Sequence, residues 1–420
     1  MRQFLLVSLF SILLADIMLG LGLSLGPGLS LKNAMLYVIF TALVLEFVLG
    51  NRDLLREIWP LHLSWAVLVT YATFTWLAII LLGLHRGYNP VSNFIALKGQ
   101  LLDLFLFFLV YLYGPKDALK SLNLIRWLIT VLVLVNVITF IDVFNIPDLG
   151  IISDRADGRV TGPVNEVNQY GAILVFIIPI SAGLAISSSG WLRLLFALGT
   201  VMGFVLLGMT VSRGAYVGII VGGLFSLFLL RDYVRKEFIV KGSVAILVVV
   251  ALAVVIVAVQ NPEAFLAKFD TTGMSLNRVS SGRLLRWRQI FTMMSYWPFS
   301  FVVGFGWNAY ATLFVVFGDS HNTYLGYWFD LGIIGLSLYL FIVIWIIRYI
   351  SSSLKQISKG VRPIVIGFVI GFIALHVALF FVKLYTPWLF VWALTGTLLR
   401  IIADDRRNAL SDTVEGKIEE

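Results

Sequence analysis

The chain has 420 residues, of which 60% are hydrophobic, 14% aromatic and only 13% charged, with a mean hydropathy of +0.95 and a formal net charge of +8. A soluble domain is usually about half apolar and a quarter charged, so the composition excludes an ordinary soluble fold and indicates a polytopic membrane protein. There is no cysteine, which excludes disulfides, thiolate catalysis and Cys-ligated metals, and a basic total in such a chain is no sign of nucleic acid.

Runs of about 20 apolar residues fall at 4–25, 33–50, 60–83, 94–113, 122–143, 166–187, 191–211, 214–230, 239–259, 321–347, 363–382 and 385–402. They predict an all-α fold of about twelve transmembrane helices. The first run, Phe4 to Leu25, is too long for the apolar part of a signal peptide and leads straight into a second span, so no cleaved leader is expected. Placing the N-terminus inside puts most of the 31 Lys and Arg residues on the cytoplasmic side, as the positive-inside rule requires. Both termini are then cytoplasmic. The outer side holds the 144–165 loop, the turn at Thr210–Gly214 and a long loop at 260–320. Residues 1–402 form a single transmembrane domain and 403–420 a short charged, mobile tail. There is no internal repeat.

Within the spans, Asp16 and Glu46 are expected to pair with each other or with a neighbour, and Asp103 with Lys98 one turn away. The apolar segment Phe299 to Phe317 carries Gly304 and Gly306 and is expected to re-enter or lie along the surface rather than cross.

The outer side gathers residues with chemistry. Arg213 stands in a turn between two very apolar helices, where a guanidinium costs about 2.5–3.5 kcal/mol at membrane depth, and no acidic residue lies near it in sequence. The alternatives are an anion site and a side chain that snorkels to lipid headgroups. Arg155 and Arg159 bracket Asp154 and Asp157; self-pairing on a solvated loop would explain them, but Arg159 leads directly into a turn and helix start. Asn165 and Asn168 lie three apart there, on one face, and can hydrogen-bond sugar hydroxyls. Next, 283–297 reads as an amphipathic helix on the outer leaflet, with Leu284, Trp287, Phe291 and Met294 at helical spacing. Ser280 or Ser281 can cap it. Arg283 and Arg286 stand by its N-terminus, an end that suits anions. His321 follows at the mouth of a long apolar run, with Asp319, Ser320, Asn322 and Thr323 around it; a helix-capping interfacial histidine is the plainer reading. His376 and Lys383 mark the outer half and end of the eleventh helix and can support the site or contact a second phosphate.

Arginines and a histidine sharing one membrane surface suit a lipid-linked phosphate or diphosphate, because guanidinium binds phosphate oxygens through paired, charge-assisted hydrogen bonds. No aspartate pair of metal-binding spacing accompanies them, so the arginines are expected to neutralise a diphosphate leaving group in place of a metal. Imidazole titrates near neutral pH and can take a proton from an attacking hydroxyl.

At these residues the chain resembles a known family. The TVSRGA turn, the TGPVNEVNQYG segment after Arg159, the SSGRLLRW helix start and HNTYL followed by GIIGL resemble, in order over about 155–340, the O-antigen ligase and O-antigen polymerase family. The resemblance implies a GT-C-like fold and a bacterial inner-membrane glycosyltransferase acting at the periplasmic face without a cofactor or metal. The donor is a glycan on undecaprenyl diphosphate. A ligase transfers it to lipid A-core, and a polymerase to another undecaprenyl-linked repeat unit. It further implies that Arg213, Arg283 and one of Arg155 and Arg159 hold the diphosphate and that His321 activates the acceptor. Arg286, at the same helix end, is expected to join the diphosphate site, and Asn165, Asn168, Asn322 and Asp319 to contact sugar or support the site. Compact outer loops and a basic outer face favour the ligase. Twelve helices also fit a transporter of lipid-linked saccharide, but transporters place polar features near the midplane, often in repeated halves, and here they lie at one surface.

Overall fold

The computed structural model describes residues 2–19, 23–50, 54–85, 87–144, 159–164, 166–231, 233, 251, 255, 262, 280–313, 320–383 and 388–415. The expected span at 239–259 (apart from Ala251 and Val255), most of the 260–320 loop before Ser280, and Arg155, Asn165 and Asp319 lie outside them.

The described chain is helical, apart from two short antiparallel strands at Ser24–Gly26 and Leu29–Ser30. The helices are α1 (Arg2–Leu19), α2 (Leu31–Val48), α3 (Trp59–Leu82), α4 (Pro90–Tyr113) and α5 (Ala118–Val143). They continue as α6 (Val167–Ser187), α7 (Gly190–Thr210), α8 (Arg213–Leu229), α9 (Arg283–Tyr296), α10 (Ser300–Val303) and α11 (Ala309–Leu313). The last are α12 (Thr323–Ser353), α13 (Arg362–Ala378) and α14 (Trp388–Glu415). Among the described residues, α2, α4, α5, α6, α7, α12 and α3 with the turn before it are long and apolar enough to cross a bilayer, and α8 and α13 are shorter apolar helices. The chain is a polytopic all-α membrane protein.

The closest packing joins α13 to α6 and α8. A Cβ at Gly371 would collide with the Phe176 carbonyl, and one at Gly222 with the backbone of Ala374. Lipid tails are as apolar as leucine, so helices in a membrane associate through such close fits rather than by hydrophobic burial alone. Three acidic groups within or beside the apolar helices, Asp103, Asp16 and Glu46, pair with basic neighbours. Asp103 accepts from Lys98 at 3.0 Å, Asn33 at 2.6 Å and Tyr37 at 2.8 Å, as the sequence indicated for the lysine. Asp16 pairs with Lys32 at 2.8 Å and Glu46 with Arg2, so the two acids do not pair with each other.

The described part of 299–317 does not cross. It folds into α10 and α11, of 4 and 5 residues, where a span needs about 20. The loop between them docks on α12 where that helix breaks at Gly332 (φ 65°, ψ −172°). The Phe305 and Gly306 amides donate to the Phe329 and Asp330 carbonyls at 2.9 and 2.8 Å. Tyr71 on α3 donates to the Val303 and Leu331 carbonyls at 3.1 and 3.2 Å, so the broken backbone is satisfied by protein, as it must be near lipid.

One expectation needs correction. The chain beyond 402 continues α14 to Glu415, with Ala403 buried and the Ser358 amide donating to Asp405 at 2.7 Å. In α9, Ile290 and Met294 pack against Phe305, Ala309, Tyr310 and Phe329, while Leu284 and Phe291, expected to lie on the outer leaflet, are exposed.

Candidate active site

The N-termini of α6, α8, α9 and α12 and the C-termini of α7 and α13 meet at one end of the bundle. Glu166 opens α6 and accepts from the Asn168 and Gln169 amides at 3.1 and 2.5 Å. The α7–α8 turn is tight: Val211 takes φ 46°, and Arg213 follows as the first residue of α8. Arg283 is likewise the first residue of α9. Ser280 caps that helix through its hydroxyl, which accepts from the Leu284 amide at 3.3 Å, and Gly282 makes the turn at φ 78°.

These turns bring the arginines together. Arg213 donates to the Ser281 hydroxyl at 3.2 Å, tying α8 to α9. The Arg283 guanidinium lies 6.0 Å from the centre of the Phe381 ring, a cation–π contact. Its Nε is buried without a hydrogen-bond partner. Burial first, then the neighbouring Arg213, Arg286 and Arg159, hold the Arg283 pKa below the usual guanidinium value, with Glu166 acting in the opposite sense. Among the described residues, the charges acting on Arg283 are thus three guanidinium groups against one carboxylate. Such a cluster is stabilised by an anion.

Arg159 stands apart in its bonding. Its Nε donates to the Thr210 carbonyl at 2.8 Å and its Nη2 to the Val211 carbonyl at 3.2 Å. It therefore caps the C-terminus of α7, where a cation is favoured, while adding its charge to the cluster. Asn168 holds parts of the site: its amide donates to Glu166 at 2.9 Å and its oxygen accepts from the Ser212 hydroxyl at 3.1 Å.

His321 lies beside α9 through its neighbour: the Trp287 indole donates to the Ser320 carbonyl at 3.2 Å. Its backbone is left-handed at φ 48°, which a non-glycine residue holds only when its surroundings impose it. Here they do. The Ser320 hydroxyl donates to the Asn322 carbonyl at 2.9 Å, and Asn322, buried, caps α12 by accepting from the Leu325 amide at 3.0 Å. Thr323 is fastened to the end of α13, its amide and hydroxyl donating to the Leu379 and Val382 carbonyls at 3.0 and 2.9 Å. The imidazole is half-buried. Asn322 is a helix cap, which the N-cap position explains better than a sugar contact.

His376 is in the last turn of α13, and its carbonyl accepts from the Tyr324 hydroxyl at 2.7 Å. It is buried among helices, with Nδ1 2.7 Å from the Phe372 carbonyl and Nε2 3.3 Å from the Tyr339 hydroxyl. Lys383 does reach the site, with its chain 3.7 Å from where a Cβ on Gly326 would stand. Sequence reasoning missed Glu166 and Phe381, and offered Ser281 only as a helix cap rather than as the partner of Arg213. The helix start after Val164 could have signalled Glu166 as a cap, but nothing local announces a ring 98 residues from the arginine it meets.

Fold and site together define a multi-pass membrane protein with a cationic cluster and a clamped histidine at one end. Residues 198–340, about a third of the chain, match the family model described as O-antigen ligase. The match supports a function broadly of the O-antigen ligase or polymerase type. It contains Arg213, Arg283, Arg286 and His321, whereas Arg159 and Asn168 precede it. A search of curated proteins gave no match.

Proposed function

We propose that the protein is an O-antigen ligase: it transfers a glycan from undecaprenyl diphosphate to a hydroxyl of lipid A-core, with inversion, at the periplasmic face of a bacterial inner membrane. In this reading both termini are cytoplasmic, and the twelve-helix, GT-C-like bundle presents the site outward. The observation that carries it is the crowding of Arg213, Arg286 and Arg159 around a half-buried Arg283, on the helix that hydrogen-bonds the backbone beside His321. The donor diphosphate sits on these guanidinium groups. His321 takes the proton from the acceptor hydroxyl, whose oxygen attacks the anomeric carbon from the face opposite the diphosphate. The bond from that carbon to the phosphate oxygen breaks, and the electron pair leaves with undecaprenyl diphosphate. The arginines stabilise the charge that develops there, the role a divalent cation plays elsewhere. Holding two lipid-borne substrates in line supplies much of the rate.

The test is transfer by the purified protein from lipid-linked donor to lipid A-core, with His321→Ala and Arg213→Ala alongside. The reading requires product from the wild type and none from either variant at equal folded amounts. In cells lacking the native enzyme, the variants should leave full-length undecaprenyl-linked chains unligated. Accumulation of single-repeat intermediates would instead make the protein a polymerase, and full activity in both variants would remove the site.

A further inference from the structure

We propose that the small pocket floored by Gly326, between Trp307, Asp330, Lys383 and Gln100, seats a hydroxyl-bearing edge of the acceptor sugar and so delivers its nucleophilic hydroxyl to His321. The proposal rests on the glycan-transfer reading above and adds the acceptor's side of the site.

Position comes first. Gly326 is in the first turns of α12, and a Cβ there would stand 3.7 Å from both the Ser320 hydroxyl and the Lys383 chain. Ser320 thus borders the pocket with its hydroxyl, while its carbonyl accepts from Trp287 on the arginine-bearing helix. The segment after α13 repeats this arrangement. Phe381 lies under Arg283, and Lys383, two residues on, lines the pocket. His321 therefore stands where the cation cluster and the pocket adjoin.

The lining has the chemistry of sugar recognition. Lys383 donates, Gln100 both donates and accepts, Asp330 accepts, and the Trp307 and Tyr327 rings offer apolar walls. A sugar hydroxyl both donates and accepts, and its ring presents C–H faces to aromatics. A second diphosphate would meet the Asp330 carboxylate. The Trp307 indole N–H is buried and has no hydrogen-bond partner, in a residue 5% exposed; a buried donor left unmet is costly. The space is about 30 Å³, enough for hydroxyl-sized groups but not for a whole ring.

The pocket is also firmly built. Asp330 accepts from the Tyr310 amide at 2.9 Å, and the Trp307 carbonyl accepts from Tyr88 at 2.6 Å. Gln100 sits in a π-helical turn, Lys98–Leu102, inside α4. Such wide turns occur frequently at functional sites.

Gly326→Ala tests this with little risk to the fold, because its new methyl would meet only ordinary van der Waals neighbours. With lipid A-core lacking O-chain as the varied substrate, the expected result is a KM for acceptor raised about tenfold and a KM for donor changed less than about twofold. Gly326→Leu should abolish transfer yet keep the thermal stabilisation that inorganic diphosphate gives through the arginines. Trp307→Phe, which keeps the ring and removes the N–H, should also raise the acceptor KM. An unchanged acceptor KM in both Gly326→Ala and Trp307→Phe, while His321→Ala and Arg213→Ala are inactive, would overturn the pocket and leave the transfer reading standing. So would equal losses for donor and acceptor. Failure of the wild type to form product with any donor and acceptor pair would overturn both.

Discussion

Replacing Arg283 with methionine should make the protein more stable and inactive at once. In the folded protein the Arg283 charge is disfavoured by burial and by Arg213, Arg286 and Arg159, and favoured by Glu166 and the Phe381 ring. Two like charges about 8 Å apart at an effective dielectric of about 20 repel by about 2 kcal/mol, and physiological salt, with a Debye length of about 8 Å, roughly halves that. Burial, the largest cause, together with three repulsive pairs against one attractive pair, leaves a net penalty of about 2 kcal/mol on the charge. The lost cation–π contact returns about 0.5–1 kcal/mol. Arg283→Met therefore gains about 1 kcal/mol, a rise of a few degrees at most in melting temperature for a chain of this size. The 12 tryptophans allow unfolding in detergent to be followed by intrinsic fluorescence. Inorganic diphosphate supplies the second half of the experiment. At about 100 times its dissociation constant it should stabilise the wild type by about 2.7 kcal/mol, and the variant by much less. A variant that melts below the wild type, or gains as much from diphosphate, would refute the idea that Arg283 is held under repulsion for an anion.

Three further outcomes follow from the geometry around the histidine. Asn322→Ala removes the α12 cap and should cost about 1 kcal/mol of stability together with most of the turnover, whereas Asn322→Asp keeps the cap; melting temperature and kcat measured side by side check this, and an alanine variant equal to wild type in both would contradict it. Trp287→Phe deletes the indole hydrogen bond to the Ser320 carbonyl and should lower kcat about tenfold by misplacing His321 with little change in either KM; unchanged kcat would show that this bond does not position the imidazole. Gly332→Ala should abolish folded protein in size-exclusion profiles, because its Cβ would collide with the Val302 backbone and its φ and ψ lie in a region open essentially to glycine alone; a monodisperse variant would mean that the α12 break can be rearranged.

The sequence makes some of this legible because the forces involved are local or strong. Apolar run length located the helices, including α8, which begins at Arg213 within one residue of the expected start. The cost of an arginine at membrane depth singled out Arg213, and a serine before an amphipathic stretch gave the α9 cap, which the structure assigns to Ser280. What stayed hidden depends on contacts between distant segments. Arg159 and Asn168 have the right chemistry for ligands, yet their hydrogen-bonding groups meet the α7 carbonyls, Glu166 and Ser212. Periodicity identified α9 as amphipathic, with Leu284 and Phe291 on its exposed side, but did not single out Ile290 as part of the face that packs on protein. In a membrane, apolar side chains are equally at home against lipid, so hydrophobicity alone does not distinguish the two faces.

The backbone carries a signal of its own that no residue pattern contains. Among the described residues, four non-glycine positions are left-handed: Val211, Ser281, Asn308 and His321. Each such residue costs about 1–3 kcal/mol and persists only where the surroundings impose it, and for β-branched Val211 the conformation is a true outlier. All four belong to the site or border it. The Val211 carbonyl accepts from Arg159, the Ser281 hydroxyl accepts from Arg213, Asn308 follows Trp307 and donates to Asn93 at 2.6 Å, and His321 is the proposed base. Strain at non-glycine residues and like-charge repulsion are therefore concentrated at the same end of the bundle. A protein selected only for stability would relax both. Their coincidence is what a preorganised site requires, since donors and cations held in place before the substrate arrives need no reorganisation when charge develops on the leaving diphosphate.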